Sequence, residues 1–165
     1  MDEHELIDFL DRNSIRYIRF EHDAVYTCEE SNRLLPDISG ARTKNLLLCD
    51  ERKERWFFLM FLDHKRVDFK RLAKSMETGK VSFAAPENMQ KILGISPGSV
   101  NIFALANDSQ GIVEVFLDQD LWNFLTWHAH PMVNTATLEI ARDGVERFFK
   151  IIRHPYRVIE IPEKK

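Results

Sequence analysis

Seven consecutive apolar residues, "WFFLMFL" at 56–62, constrain this chain more than any other feature, because no polar side chain interrupts them. A short apolar run rich in aromatic residues and bounded by charge reads as a strand inside a core. A second run, "LLLC" at 46–49, precedes it, and the charged "ERKER" between them supplies a turn. The two predict a hairpin of central strands, and a central hairpin needs further elements to cover it. At 165 residues with twelve Phe, the chain is long enough to provide that cover as one domain over 1–165, with aromatic layers in its core.

The cover is legible in the periodicity. Leu6, Phe9 and Leu10 stand at helical spacing. "IRYIRF" reads as a strand. Thr27 with Glu30 three residues on fits a capping box, opening a second helix that ends before Pro36. "DFKRLAKSM" places Phe69, Leu72, Ala73 and Met76 on one helical face, closed by Gly79. "VSFA" is a short strand, and "PENMQKILG" a helix with Pro in its first turn and Gly at its end. "GIVEVFLD", "TATLEIA" and "YRVIEI" read as strands, with "GVERFFKII" as a helix before the last. Strands and helices interspersed in this way predict an α/β fold: a mixed, mostly antiparallel, barrel-like sheet flanked by helices.

Composition narrows the partners. Hydrophobic residues make up 44% and charged residues 30%, a globular balance. No apolar run approaches the roughly 20 residues that span a bilayer, and the acidic "MDEHELIDFL" lacks a signal pattern, so no membrane is expected. Cys28 and Cys49 form neither a disulfide framework nor a metal motif, which predicts reduced thiols in a cytoplasm. A net charge of −3 and a pI near 6.1 exclude a strongly basic binder of long nucleic acid, so DNA is not expected. A local basic patch that grips one RNA end remains open, because the field depends on distribution and not on the sum.

Three polar islands interrupt the apolar pattern: "TKN" at 43–45, "SPGSVN" at 96–101 and "HAHPMVNTAT" at 128–137. Each falls at the end of a predicted element, where sites are commonly built. Lys44 offers a point charge suited to a phosphate or carbonyl oxygen, and Asn45 a donor and an acceptor together; the plain alternative is a solvated strand edge. Gly98 in Pro97-Gly98-Ser99-Val100 lets backbone N–H groups turn inward to meet an oxyanion or a water, or else makes an ordinary turn. His128 and His130, two apart, would share one face of a strand, but no third metal ligand is placed by motif. Ser99 and His130 could pair, yet no acid completes a triad. The residues alone therefore describe a metal-free pocket without naming its substrate.

At these islands the sequence resembles a known family. "AVYTCEES", "ISGARTKNLLLCD", "VDFKRLAK", "VSFAAPENMQKILGISPGSV" and "HPMVNTATLEI" look like the free-standing prolyl-tRNA editing proteins of the YbaK/ProRS-associated domain superfamily, in order from about Glu21 to Ile140. Within it they look most like the branch that removes alanine from mischarged tRNA(Pro). The resemblance implies a deacylase without metal or cofactor, a mixed α/β barrel-like fold, and the acceptor end of tRNA(Pro) as partner, with prolyl-tRNA synthetase as a further one. It places the family lysine at Lys44 with Asn45 beside it, the glycine loop at Gly98, Ser99 and Val100, and His-Pro-x-x-Asn-Thr at His130, Pro131, Asn134 and Thr135. One departure is Ile102, which stands where the family loop carries proline.

The chemistry so implied assigns Gly98–Val100 amides to the carbonyl or water, Lys44 to phosphate or carbonyl oxygen, and Asn45 and His130 to the aminoacyl group and ribose. Pro131, Asn134 and Thr135 complete the substrate wall. Lys65, Lys70 and Lys74, with Arg66 and Arg71, cluster around one predicted helix and are the expected acceptor-stem cations, a solvated helix face being the alternative. Two other activities stay open: editing of another small residue such as cysteine or serine, and tRNA binding without turnover.

Overall fold

A computed structural model describes residues 1–35 and 37–165. In chain order its elements are α1 (Glu3–Arg12), β1 (Tyr17–Glu21), α2 (Cys28–Leu34), β2 (Thr43–Asp50), β3 (Trp56–Leu62), α3 (Phe69–Ser75), β4 (Val81–Phe83) and α4 (Pro86–Leu93). A 3-10 helix (Ile102–Asn107) leads to β5 (Val113–Asp118), α5 (Gln119–Trp122), β6 (Thr126–Ala129), β7 (Ala136–Ala141), α6 (Arg142–Ile152) and β8 (Arg157–Ile159).

The apolar run at 56–62 is β3, and all seven of its residues are buried. It pairs antiparallel with β2, from Thr43↔Leu62 to Cys49↔Trp56, as the hairpin reading expects. Period-2 alternation then sends its side chains two ways. Trp56, Phe58, Met60 and Leu62 join the larger core, with Leu6 and Leu10 of α1 and Phe148 and Phe149 of α6. Phe57, Leu59 and Phe61 face the other way, in one cluster with Leu72 of α3 and Met76 just after it. Burying each such side chain contributes about 1.5–3 kcal/mol, so β3 anchors both layers.

Two sheets form rather than one closed barrel. The larger runs β4-β2-β3-β5-β8 and the smaller β1-β7-β6. Four of the strand pairings are antiparallel, while β3–β5 and β5–β8 are parallel. The sheets are joined at a short seam, a parallel bridge between Ala41 and Trp127. There the Ala41 N–H donates to the Thr126 carbonyl at 2.8 Å and the His128 N–H to the Ala41 carbonyl at 2.9 Å. Gly40 makes this approach possible: its φ is +96°, and a Cβ would lie 2.7 Å from Thr126 Oγ1 and 3.0 Å from the Thr126 carbonyl oxygen.

Local details depart from the sequence reading in instructive ways. Thr27 caps α2 by accepting from the Glu30 N–H at 3.1 Å, but Glu30 accepts from the Tyr26 N–H, one residue earlier than a capping box requires. Pro36, the expected stop for this helix, lies outside the described residues. α3 ends at Ser75, and Glu77 with φ +53°, not Gly79, takes the left-handed position behind it. Pro86 and Gly94 bound α4 as expected. β6 and the 3-10 helix have no counterpart in the reading, because β6 is four residues long and the 3-10 segment "IFALAN" has neither helical nor alternating period.

Candidate active site at the open end of β2

β4 pairs with β2 only over Leu48–Asp50. The earlier part of β2 has β3 on one side and, along the other, a cleft of about 700 Å³ lined by Thr43 through Leu47. The start of α2, Phe83, Met89, the glycine loop and the end of β6 close it in. Alternation splits the polar pair at 44–45 between the two faces of β2. Lys44 is exposed, and its ammonium makes no hydrogen bond or ion pair among the described residues. Asn45 lies on the side of Leu47 and Cys49, and its Oδ1 is buried without a partner among the described residues.

The glycine loop reaches the cleft through Gly98 and Val100. Gly98 has φ +84° and nothing within 4 Å of a notional Cβ, so it faces open space. The Ser99 N–H donates to the Ser96 carbonyl at 3.1 Å, which uses that amide to close the turn, and Ser99 does not line the cleft. Asn101, fully buried, holds the loop: its Nδ2 donates to the Ser99 carbonyl at 2.9 Å and its Oδ1 accepts from the Ala104 N–H at 3.1 Å. Ile102, where the family carries proline, is fully buried in the larger core and fixes the loop by packing.

His130 enters from the end of β6. Its Nδ1 meets the Ala136 carbonyl at 2.9 Å, so that nitrogen carries the proton and Nε2 is left as acceptor. Burial pushes its pKa below the ordinary 6.5, although the Ala136 carbonyl opposes the shift, and His22 and His128 add slightly to it. The His22 ring stands edge-on to it, 6.3 Å between centroids, and reaches Thr137 Oγ1 at 2.9 Å. His128 donates from Nε2 to the Ser39 carbonyl. Among the described residues no group of three or more His, Cys, Asp or Glu is placed to hold a metal ion.

The structure thus brings Lys44, Asn45, Gly98, Val100 and His130 to one cleft from three separated segments. It does not bring Pro131, Asn134 or Thr135 there. Asn134 Nδ2 donates to the Val25 carbonyl at 3.1 Å, and the Val25 N–H returns to the Asn134 carbonyl at 3.0 Å. The Thr135 carbonyl accepts from the His22 N–H at 3.0 Å. This motif fastens the segment leading into α2 onto β7.

Lys65 is a correction. It is buried, with its ammonium 2.9 Å from Asp118 and 2.7 Å from Asp120 and donating to the Ile161 carbonyl. Burial alone would lower its pKa, but the hydrogen bonds to Asp120 and Asp118 outweigh it and raise the pKa above 10.5. Those carboxylates lie more than fifty residues away in sequence, so the charged run around Lys65 gave no sign that one of its members turns inward. Lys70 and Lys74 remain exposed on α3, whose Phe69 packs edge-on against the cleft residue Phe83 at 5.7 Å.

Sequence reasoning passed over several cleft residues. Tyr26 and Phe83 expose 75% and 61% of their surface, a large apolar area to leave open beside polar groups. Cys28 sits at the start of α2, its thiol pKa pushed up by burial while nearby Lys44 pulls the other way. Asp63 follows β3 directly, its N–H donating to the Arg42 carbonyl at 3.1 Å. Its one signal was being the first charge after the longest apolar run, just past the end of the strand that pairs with that of Lys44.

A family model described as aminoacyl-tRNA editing domain matches residues 22–148. The chain is 30% identical to the prolyl-tRNA editing protein ProX of Acetoanaerobium sticklandii, covering 92% of this chain and 93% of that protein. It is 32% identical to the prolyl-tRNA synthetase associated domain-containing protein 1 of Danio rerio, covering 91% and 82% respectively. A crystal structure described as a candidate trans-editing enzyme for prolyl-tRNA synthetase superposes with a TM-score of 0.70 at 15% identity, covering 99% of each chain, and shares the fold.

Proposed function

The chain belongs to the aminoacyl-tRNA editing domain family, and from that premise we propose that its cleft removes alanine in trans from mischarged tRNA(Pro). It is an aminoacyl-tRNA deacylase, so the bond it breaks is an ester between an amino acid and the terminal ribose. Attack by water turns the acyl carbonyl into a tetrahedral oxyanion, which then expels the ribose oxygen. The reaction calls for an oriented water, donors toward the oxyanion and a hold on the adenosine. The observation that carries the reading is the meeting of Lys44, Asn45, Gly98, Val100 and His130 on one cleft.

In this reading the Gly98 and Val100 amides face the developing oxyanion. Lys44, unengaged and exposed, takes the terminal phosphate or the carbonyl oxygen. Asn45 brings an unsatisfied acceptor to the aminoacyl end. Neutral His130 accepts through Nε2 from the ribose or the water, and the vicinal ribose hydroxyl, by family analogy, helps to activate that water. Tyr26 and Phe83 offer ring faces to the terminal bases. A volume of about 700 Å³ suits a whole aminoacyl-adenosine, so selection for a methyl side chain falls to the apolar wall of Val25, Leu47 and Met89. Such a filter excludes proline by overlap, the logic of a second sieve.

Residues 1–165 act as one domain in this reading, in the cytoplasm where charged tRNA circulates, and prolyl-tRNA synthetase is the natural docking partner. No described helix is long and apolar enough to cross a membrane. Single-turnover deacylation of tRNA(Pro) carrying alanine, cysteine, serine or proline tests the assignment. Alanine should leave at least about tenfold faster than the others, the scale that one small group in a pocket supplies. Faster release of cysteine or serine would reassign the substrate, and tight tRNA binding without hydrolysis would make the protein a binder.

A further inference from the structure

Asp63 presents a puzzle for a cleft that receives RNA. Its side chain is only 12% exposed and lines the cleft. The neutral amide of Asn32 donates to Oδ2 at 3.0 Å. Among the described residues its one ion pair is with His64 Nδ1, 4.0 Å from Oδ1, on a ring that is 69% exposed. A largely buried carboxylate without a close cation is costly to hold, and it repels the phosphates of an incoming polyanion. The other carboxylate in the lining, Glu29, is exposed and therefore better screened.

We infer that Asp63 receives the α-ammonium group of the aminoacyl ester and so selects free aminoacyl groups over neutral acyl groups. This rests on reading the cleft as the aminoacyl-tRNA site. The 3′ end of such a substrate carries several negative charges and one positive charge; a carboxylate can accept from a ribose hydroxyl or an adenine amino group, but only the ammonium offers it an opposite charge. A free α-amino group titrates near 7.7–8.0, so at pH 7 the ammonium form is the main one, roughly five-sixths to nine-tenths. The placement fits: Asp63, in the turn directly after β3, and Lys44 on the adjacent β2 line the same cleft, and the Asp63 N–H donates to the carbonyl of Arg42, two residues before Lys44, at 3.1 Å. Asn32 holds one carboxylate oxygen, which leaves capacity on the other for an N–H donor from the substrate. Lys44 and Asp63 would then grip the two ends of the scissile unit by opposite charge.

The test uses the full chain and two stable adenosine derivatives, 3′-alanylamino-3′-deoxyadenosine and its lactoyl counterpart, which has a hydroxyl in place of the ammonium. The wild type should bind the alanyl compound about tenfold to a hundredfold more tightly, the range of one hydrogen bond to a charged group. Asp63→Asn should bind both alike, and Glu29→Gln should keep the preference. Equal binding by the wild type, or a preference that survives Asp63→Asn, overturns the inference. If Asp63→Asn fails to fold by circular dichroism, Asp63→Ser, which also removes the charge, takes its place with the same expected loss of preference, and equal binding by the wild type still overturns the inference. A preference that Asp63→Asn abolishes, in a protein that hydrolyses no Ala-tRNA(Pro), upholds the role of Asp63 and removes the hydrolase reading instead.

Discussion

The cleft beside Lys44 and the interior around Lys65 treat the same side chain in opposite ways. Lys65 is enclosed, with Asp118, Asp120 and the Ile161 carbonyl all turned toward its ammonium. Among the described residues Lys44 has no partner, Asn45 Oδ1 is buried and unsatisfied, and His130 Nε2 has no donor. Water satisfies the exposed Lys44, but a buried acceptor that lacks a partner is unfavourable, so a fold selected for stability alone would have matched Asn45 Oδ1 as it matched Lys65. Asp118 Oδ2 makes no hydrogen bond either, but it lies 2.9 Å from the Lys65 ammonium and is matched by charge, whereas Asn45 Oδ1 has no counterpart among the described residues and marks where a ligand donor completes the set.

Substitution can break this contrast. Lys44→Ala should lower single-turnover deacylation of Ala-tRNA(Pro) by about a hundredfold or more, the scale for losing one positioned electrostatic group, with an unchanged melting curve. An unchanged rate would remove Lys44 from the chemistry. Lys65→Ala should do the reverse. Stranding the Asp118 carboxylate should reduce unfolding free energy by about 3–5 kcal/mol in a denaturant titration, while the rate per folded molecule holds.

The pH profile sharpens the cleft side of the comparison. Because the pKa of His130 lies below 6.5, its neutral form prevails at neutral pH. Protonation removes the Nε2 acceptor only as pH falls through that depressed value, so the acid limb of kcat/KM should lie below about 6.5. A limb at or above that point contradicts the burial argument. The smallest effect is expected from Lys70→Ala with Lys74→Ala. A few-fold rise in KM should accompany a shallower salt dependence, by about 0.7–0.9 in log–log slope for each phosphate that the variant no longer neutralises.

Much of this architecture follows from local patterns. The β2–β3 hairpin, the Pro86 to Gly94 bounds of α4 and the face of α3 all rest on signals within about ten residues. Lys44, Asn45, Gly98 and His130 were legible because a resemblance grouped them; their meeting depends on two sheets that no local pattern specifies. The misses share one cause. The inward turn of Lys65, the fastening role of Asn134 on Val25 and the arrival of Asp63 beside Asn32 are all decided by partners far along the chain. Side-chain type is visible in a sequence, but its distant partner is not.

The contact of Gly40 with Thr126 has a consequence for how such a protein can fail. Opposing walls of the reaction chamber belong to different sheets, sewn together beside a residue with no room for a methyl group. A bulkier side chain there would act as a wedge, leaving each sheet its own ladder while nudging the lysine strand away from the imidazole. A displacement of roughly one ångström is enough to disable a reacting geometry. Damage at this stitch would thus yield a well-folded but silent protein, one that passes every structural quality check while errors accumulate in translation.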